Sequence, residues 1–176
     1  DYYTEMGISQ ESYKSIFLNS SKKQKLFEAI YGEGGEKADF SGCRLTNLDL
    51  RYMQLNGADF TGALLENVNM NGAGLCFCVF RDAKLVGCDL NSAIAEEADF
   101  CGAAFTECKM RSGIFTHSNF AHASFQDADL DESRFASCCI EDTNIMDTDT
   151  DGVDLSGTSE DEESWVNDPG ICIGGM

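Results

Sequence analysis

Proline is almost missing from this chain: Pro169 is the only one in 176 residues. With 17 glycines that keep no triplet period, that excludes a collagen-like rod and a proline-rich linker. Basic residues are scarce, 12 Lys and Arg against 31 Asp and Glu, and the net charge is −19. A surface of that sign repels phosphates, so direct binding to nucleic acid or to an anionic membrane is excluded as the main role. No apolar run approaches the roughly 18 residues of a membrane span. The opening DYYTEMGISQ has no basic stretch followed by an apolar one, so no secretory signal is visible and a cytoplasmic location is expected. Histidine occurs only at His117 and His122, and the nine cysteines include no C-x-x-C pair, so a Cys/His zinc site has little support. The odd cysteine count suits free thiols in a reducing compartment.

Catalytic constellations are missing too. The GEGG at 32–35 lacks the strand, lysine and following helix of a phosphate-cradling loop. One stretch resembles the first half of a calcium loop: DTDTDGVDL, Asp147 to Leu155. Asp147, Asp149 and Asp151 match loop positions 1, 3 and 5, and Gly152 matches position 6. Position 12, which needs a bidentate Glu, is Thr158. No metal, cofactor or catalytic residue is therefore assigned, and the protein is expected not to be an enzyme.

What the chain does contain is a period of five. From Phe40, every fifth residue to Leu155 is large and apolar except Ala95 and Thr150. Two residues before each centre stands a second, mostly small residue, such as Ala58, Ala83, Cys88, Ala103 and Cys108. Between the two stands Asp or Asn in many repeats, so that ADF recurs at 38, 58 and 98. Five matches neither the 3.6-residue helix nor the two-residue strand. It suits a chain that turns a corner every five residues and keeps both apolar positions inward. Centres twenty apart resemble one another, so four corners close one coil. One column is Phe40, Phe60, Phe80, Phe100, Phe120; another is Leu45, Leu65, Leu85, Phe105, Phe125. These ten residues are the expected structural core. The calcium-like stretch then has another reading: Thr148, Thr150, Val153 and Leu155 point inward, and Asp149, Asp151 and Asp154 point outward.

The A-(D/N)-(L/F)-x-x pattern over residues 38–157 resembles the pentapeptide-repeat family. The resemblance implies an all-β solenoid, a right-handed quadrilateral β-helix of about six 20-residue coils. Its inward small positions would assign Cys43, Cys78, Cys88, Cys108 and Cys138 to packing rather than chemistry. Such a rod exposes backbone and core at its ends and needs caps. Residues 1–37 are expected to form a helical N-terminal cap, with Ser9 and Ser21 as N-caps. A partner-binding helix is the alternative there. Residues 158–176 are expected to form an acidic cap, short helix or tail.

Function is then sought on the surface. Between Asp127 and Asp168 lie 15 acidic residues and one basic residue, Arg134. This end either keeps rods soluble or binds a basic partner, with Asp129, Asp131, Asp149 and Asp151 as candidate contacts. Phe77, Ile94 and Ile114 form a candidate apolar contact face. The alternative is a local register shift that buries Ile94 in place of Ala95. The leading expectation is a non-catalytic interaction module that binds another protein. The resemblance implies a second: some relatives imitate duplex DNA and bind type II topoisomerases, so DNA gyrase is a candidate partner. A third is a recognition arm of a larger multidomain or effector protein. The oligomeric state is expected to be a monomer or an end-to-end dimer.

Overall fold

The computed structural model describes residues 39–158. The expected helical cap at 1–37, Ala38 and the tail beyond Thr158 lie outside the described residues. What is described is an all-β parallel solenoid without a helix, hence without one long and apolar enough to cross a membrane. Five strands stack in order: β1 (Arg44–Thr46), β2 (Leu64–Glu66), β3 (Lys84–Val86), β4 (Ala104–Thr106) and β5 (Ser124–Gln126). Each pairs in parallel with the next, twenty residues on, so Leu45, Leu65, Leu85, Phe105 and Phe125 lie in register.

Three further ladders of single bridges carry the other faces. They run from Asp39 to Cys139, from Asp49 to Asp149 and from Gln54 to Asp154, each in steps of twenty. The chain therefore has four sides per coil, as the column pattern requires. Only the strand face pairs over three residues; the other sides are held by isolated bridges. Along those sides the amide three residues after a centre closes a turn on its carbonyl. Cys43 closes on Phe40 at 3.0 Å, Met53 on Leu50 at 3.2 Å and Ala58 on Leu55 at 3.0 Å.

The corners explain how a period of five is possible. Every fifth residue from Gly42 to Gly157 has φ between 51° and 77°. One left-handed residue per repeat reverses the chain's curvature enough to start a new side. Glycine takes this conformation freely, and Asn and Asp tolerate it. Tyr52 and Phe77 are bulky residues held there, at φ 61° and 60°, against their ordinary preference.

The core is the predicted set of columns. Phe60 and Phe80 stack at 4.5 Å, Phe80 and Phe100 at 4.9 Å, Phe100 and Phe120 at 4.6 Å. Phe105 and Phe125 form a second stack at 4.8 Å. Each buried phenylalanine contributes about 1.5–3 kcal/mol by leaving water, and offset stacking adds about 0.5–1.5 kcal/mol per pair. The five cysteines expected inward are all buried. The register shift at Ala95 does not occur: Ala95 is fully buried, Ile94 is 43% exposed, and the Ala95 amide donates to Ile114 at 2.7 Å. The Phe115 ring lies in the space that a Cβ on Gly113 would need, with its Cζ 2.8 Å away.

Most polar groups at the small inward positions donate to the carbonyl of the centre 23 residues earlier, in the neighbouring coil; Ser133 instead donates to Leu130 in its own coil. Ser118 donates to Ala95 at 2.7 Å, Cys138 to Phe115 at 2.9 Å and Thr143 to Phe120 at 2.9 Å. Thr148 bonds Phe125 in the same way. Thr143 and Thr148 are thus satisfied donors, which removes the desolvation cost of a buried hydroxyl.

Candidate functional site

The recurrent Asp or Asn before each centre has a structural task. Its Oδ1 accepts the amide two residues on, at the start of the corner. Asp59 accepts from Thr61 at 2.8 Å, Asn69 from Asn71 at 3.0 Å, Asp89 from Asn91 at 2.9 Å and Asn119 from Ala121 at 3.0 Å. This is the side-chain mimicry of a turn that makes Asx residues frequent at chain reversals. Asn performs it as Asp does, so the charge at these positions is not needed for folding. Asp154 shows the electrostatic consequence: the Ser156 amide and hydroxyl hold its carboxyl below the usual range. At Asp49 burial opposes ionisation, but the hydrogen bonds and charge of Arg51 outweigh it and the pKa is lowered.

Three of the outward arginines pair with carboxylates of neighbouring coils. Arg44 pairs with Glu66 at 2.7 Å, Arg81 with Asp99 at 2.5 Å, and Arg111 with Asp129 at 3.2 Å and Asp131 at 2.9 Å. The Arg44–Glu66 and Arg81–Asp99 pairs are largely exposed and contribute about 0–1 kcal/mol each. The ion pairs still leave the last coils strongly negative, since Arg134 is the only basic residue from Asp127 to Asp168.

The four candidate acidic contacts are not equivalent. Asp129 and Asp149 are bridge partners on adjacent coils, and Asp151 is exposed at the following corner. Asp131 corrects the expectation that these carboxylates are simply solvated: it is only 9% exposed. Its side chain turns along the rod, where it accepts the Asp151 amide at 3.1 Å and meets Arg111. Burial, then the adjacent Asp149 carboxyl, push its pKa up. Asp129, Asp131 and Asp149 bring one oxygen each within 4.8 Å of one another, with the Arg111 guanidinium on two of the three. The calcium-like loop itself does not form: Asp147 sits in a left-handed corner while Asp149 lies in the next face's ladder.

The apolar candidates converge. Ile94 and Ile114 are bridge partners on the Gln54 face, and Phe77, 55% exposed, stands at one edge of that face. The sequence reading missed Tyr52, also 55% exposed, at the opposite edge. Its ring lies over Gly72, with Cδ1 2.5 Å from where a Cβ would be. Its signal was available, since Tyr52 is two residues after the centre Leu50 and so at a corner. His117 and His122 are exposed corner residues, as expected, and His122 faces Asp142 at 3.4 Å. Two buried thiols are made poor nucleophiles: burial pushes Cys138 up to about 12, and Cys108 is pushed up by the neighbouring Cys88 together with burial.

Comparison with known proteins agrees with this architecture. A family model described as pentapeptide repeats matches in eight copies, at residues 36–62, 58–94, 75–111, 83–120 and 114–157. No curated protein matches the sequence. Among solved structures, a trypsin-treated variant of QnrB1, a plasmid-mediated fluoroquinolone resistance protein, is similar at TM-score 0.54 and 18% identity. That match covers 70% of this chain and 65% of the other, so the chain spans just under two thirds of it. Rfr23, a pentapeptide repeat protein from the cyanobacterium Cyanothece 51142, is similar at TM-score 0.40 and 18% identity, over 80% of this chain and 100% of that one.

Proposed function

The chain belongs to the family of pentapeptide-repeat proteins, and from that premise we propose that it is a non-catalytic protein–protein interaction module, a rigid acidic rod that binds a basic protein. One observation carries this reading. The last coils hold outward carboxylates beyond those that cap corners or pair with arginine, on a scaffold whose side chains are set by a fixed register. Pre-set charge of one sign attracts and orients a partner of the other. The rod is read as about six right-handed coils, closed by a helical cap at 1–37 and an acidic tail. The free thiols favour a reducing compartment such as the cytoplasm.

A second reading, binding of a type II topoisomerase such as DNA gyrase by imitation of DNA, is favoured by the fold shared with a fluoroquinolone resistance protein and by the net charge of −19. One experiment addresses both. Purified gyrase supercoiling is assayed with the full chain at low and at physiological salt. In parallel, tagged chain is used to capture proteins from its native lysate. The variant with Asp129, Asp131, Asp149 and Asp151 all changed to Asn is carried through both. The module reading expects capture of a basic protein that fades with salt, because exposed charge is screened over about 8 Å at physiological ionic strength, and that the variant loses. Equal capture by variant and wild type sinks it, and no effect on gyrase at low salt removes the topoisomerase reading.

A further inference from the structure

The Gln54 face is not explained by an acidic binding end. The exposed large apolar residues among the described ones are Tyr52, Phe77, Val86, Ile94 and Met146. Three of these five lie on one side of the rod, with Ile94 at the centre and the two aromatics at its edges. Both aromatics sit in left-handed corners that their residue types disfavour.

We propose that this face associates with the same face of a second copy, the two rods antiparallel. The occupant is argued from the pattern down the face. Its central ladder reads Gln54, Gly74, Ile94, Ile114, Arg134, Asp154. A two-fold axis lying in the interface, across the rod between Ile94 and Ile114, reverses the order of the coils and keeps each edge against its own kind. Ile94 then meets Ile114 of the second copy. The exposed Arg134 meets Gly74, which has no side chain, and Asp154 meets the Gln54 amide.

The edges fit in the same way. Along one edge the corner residues are Phe77, Glu97, His117 and Ser137. The axis sets Phe77 against the small Ser137, and Glu97 against His117. Along the other edge it sets Tyr52 against Gly152. Large thus meets small at three places, and an acid meets an imidazole at a fourth. The parallel arrangement, with the axis along the rod, fails on the same residues: it puts Arg134 on Arg134 and Asp154 on Asp154. Like charges face to face exclude it.

The area sets the strength. Five coil steps at about 4.8 Å and a side about 10 Å wide bury roughly 500 Å² over both copies. Stable interfaces bury about 1,200–2,000 Å², so the dimer is weak and dissociates on dilution. Each copy carries −19, so salt strengthens this association by screening repulsion, whereas it weakens binding through the acidic end.

The test is sedimentation equilibrium of the full chain from micromolar to millimolar concentration, at low and physiological salt. A dimer whose Kd falls as salt rises is expected. Ile114→Asp should raise Kd at least about tenfold without moving the thermal melt, since Ile114 points away from the core. The four Asp→Asn changes at the acidic end should leave the dimer intact, so loss of basic-partner binding and loss of the dimer are separate outcomes. A photo-crosslinking residue in place of Phe77, in mixed isotope-labelled chains, should link to residues 136–137 of the other copy. A monomer at every concentration, a dimer indifferent to Ile114→Asp, or crosslinks to the 52–72 corner would each overturn the proposal.

Discussion

Asp59 and Asp131 do opposite things, and their hydrogen bonds and burial tell them apart. Asp59 caps a corner through the Thr61 amide. Asp59→Ala should cost about 1 kcal/mol, a typical net hydrogen bond, while Asp59→Asn should be near neutral because the amide oxygen replaces the acceptor. Urea denaturation of both variants checks this, and equal losses would remove the capping role. Asp131 is held against its charge: burial and Asp149 raise its pKa in the folded state. A raised carboxyl pKa means the ionised form destabilises the fold at neutral pH, and stability is regained as pH falls through the folded value. Asp131→Asn should therefore melt higher than wild type at pH 7, with the gap closing as the solution is acidified. Asp49 and Asp154, with lowered values, work the other way. Their stabilisation is present above the usual carboxylate pKa near 4 and is lost as pH falls through their folded values.

One coil is an element that packs only against its neighbours, so errors of volume have nowhere to go. Ala103 is fully buried between columns of phenylalanine, while Lys84 points outward from β3. Ala103→Phe should overpack the coil by about 1–3 kcal/mol or more, and Lys84→Glu should change the melt little. Similar melts for the two would mean that the inward assignment is wrong. Gly113 is a subtler case. A Cβ there meets the Phe115 ring and the Met110 carbonyl, the latter at 3.1 Å. Gly113→Ala should destabilise even though Ala is the commonest residue at equivalent positions, because the Phe115 ring already occupies the space its Cβ would need.

At the scale of the molecule the charge is lopsided. The segment from Asp127 to Asp168 holds 15 of the 31 acidic residues. Self-repulsion at that end should make the melting temperature rise as salt is raised from about 10 mM to about 150 mM, where the screening length shortens from about 30 Å to about 8 Å. The fourfold Asp→Asn variant should show a smaller rise. A wild-type melt that falls with salt would mean that ion pairs such as Arg81–Asp99 outweigh the repulsion.

Inward and outward assignment was legible in the residues, because a five-residue period over Phe40 to Leu155 leaves one fold that buries all the large centres together. The four sides were legible in the resemblance of residues twenty apart, and the outward placement of Phe77, Ile94 and the half-buried Ile114 followed by counting from the centres. Other features depend on coils that are distant in sequence. Asp131 looks like any outward aspartate until its neighbours Arg111 and Asp151, each twenty residues away, close over it. Ser118, Cys138 and Thr143 read as weak core residues, and only stacking supplies the carbonyl 23 residues back that accepts their protons. Tyr52 becomes one wall of an apolar face because Gly72 in the next coil leaves room for its ring. A repeat states which way each side chain points; what it touches is set by the coils above and below, and that depends on which of many nearly identical repeats they bring.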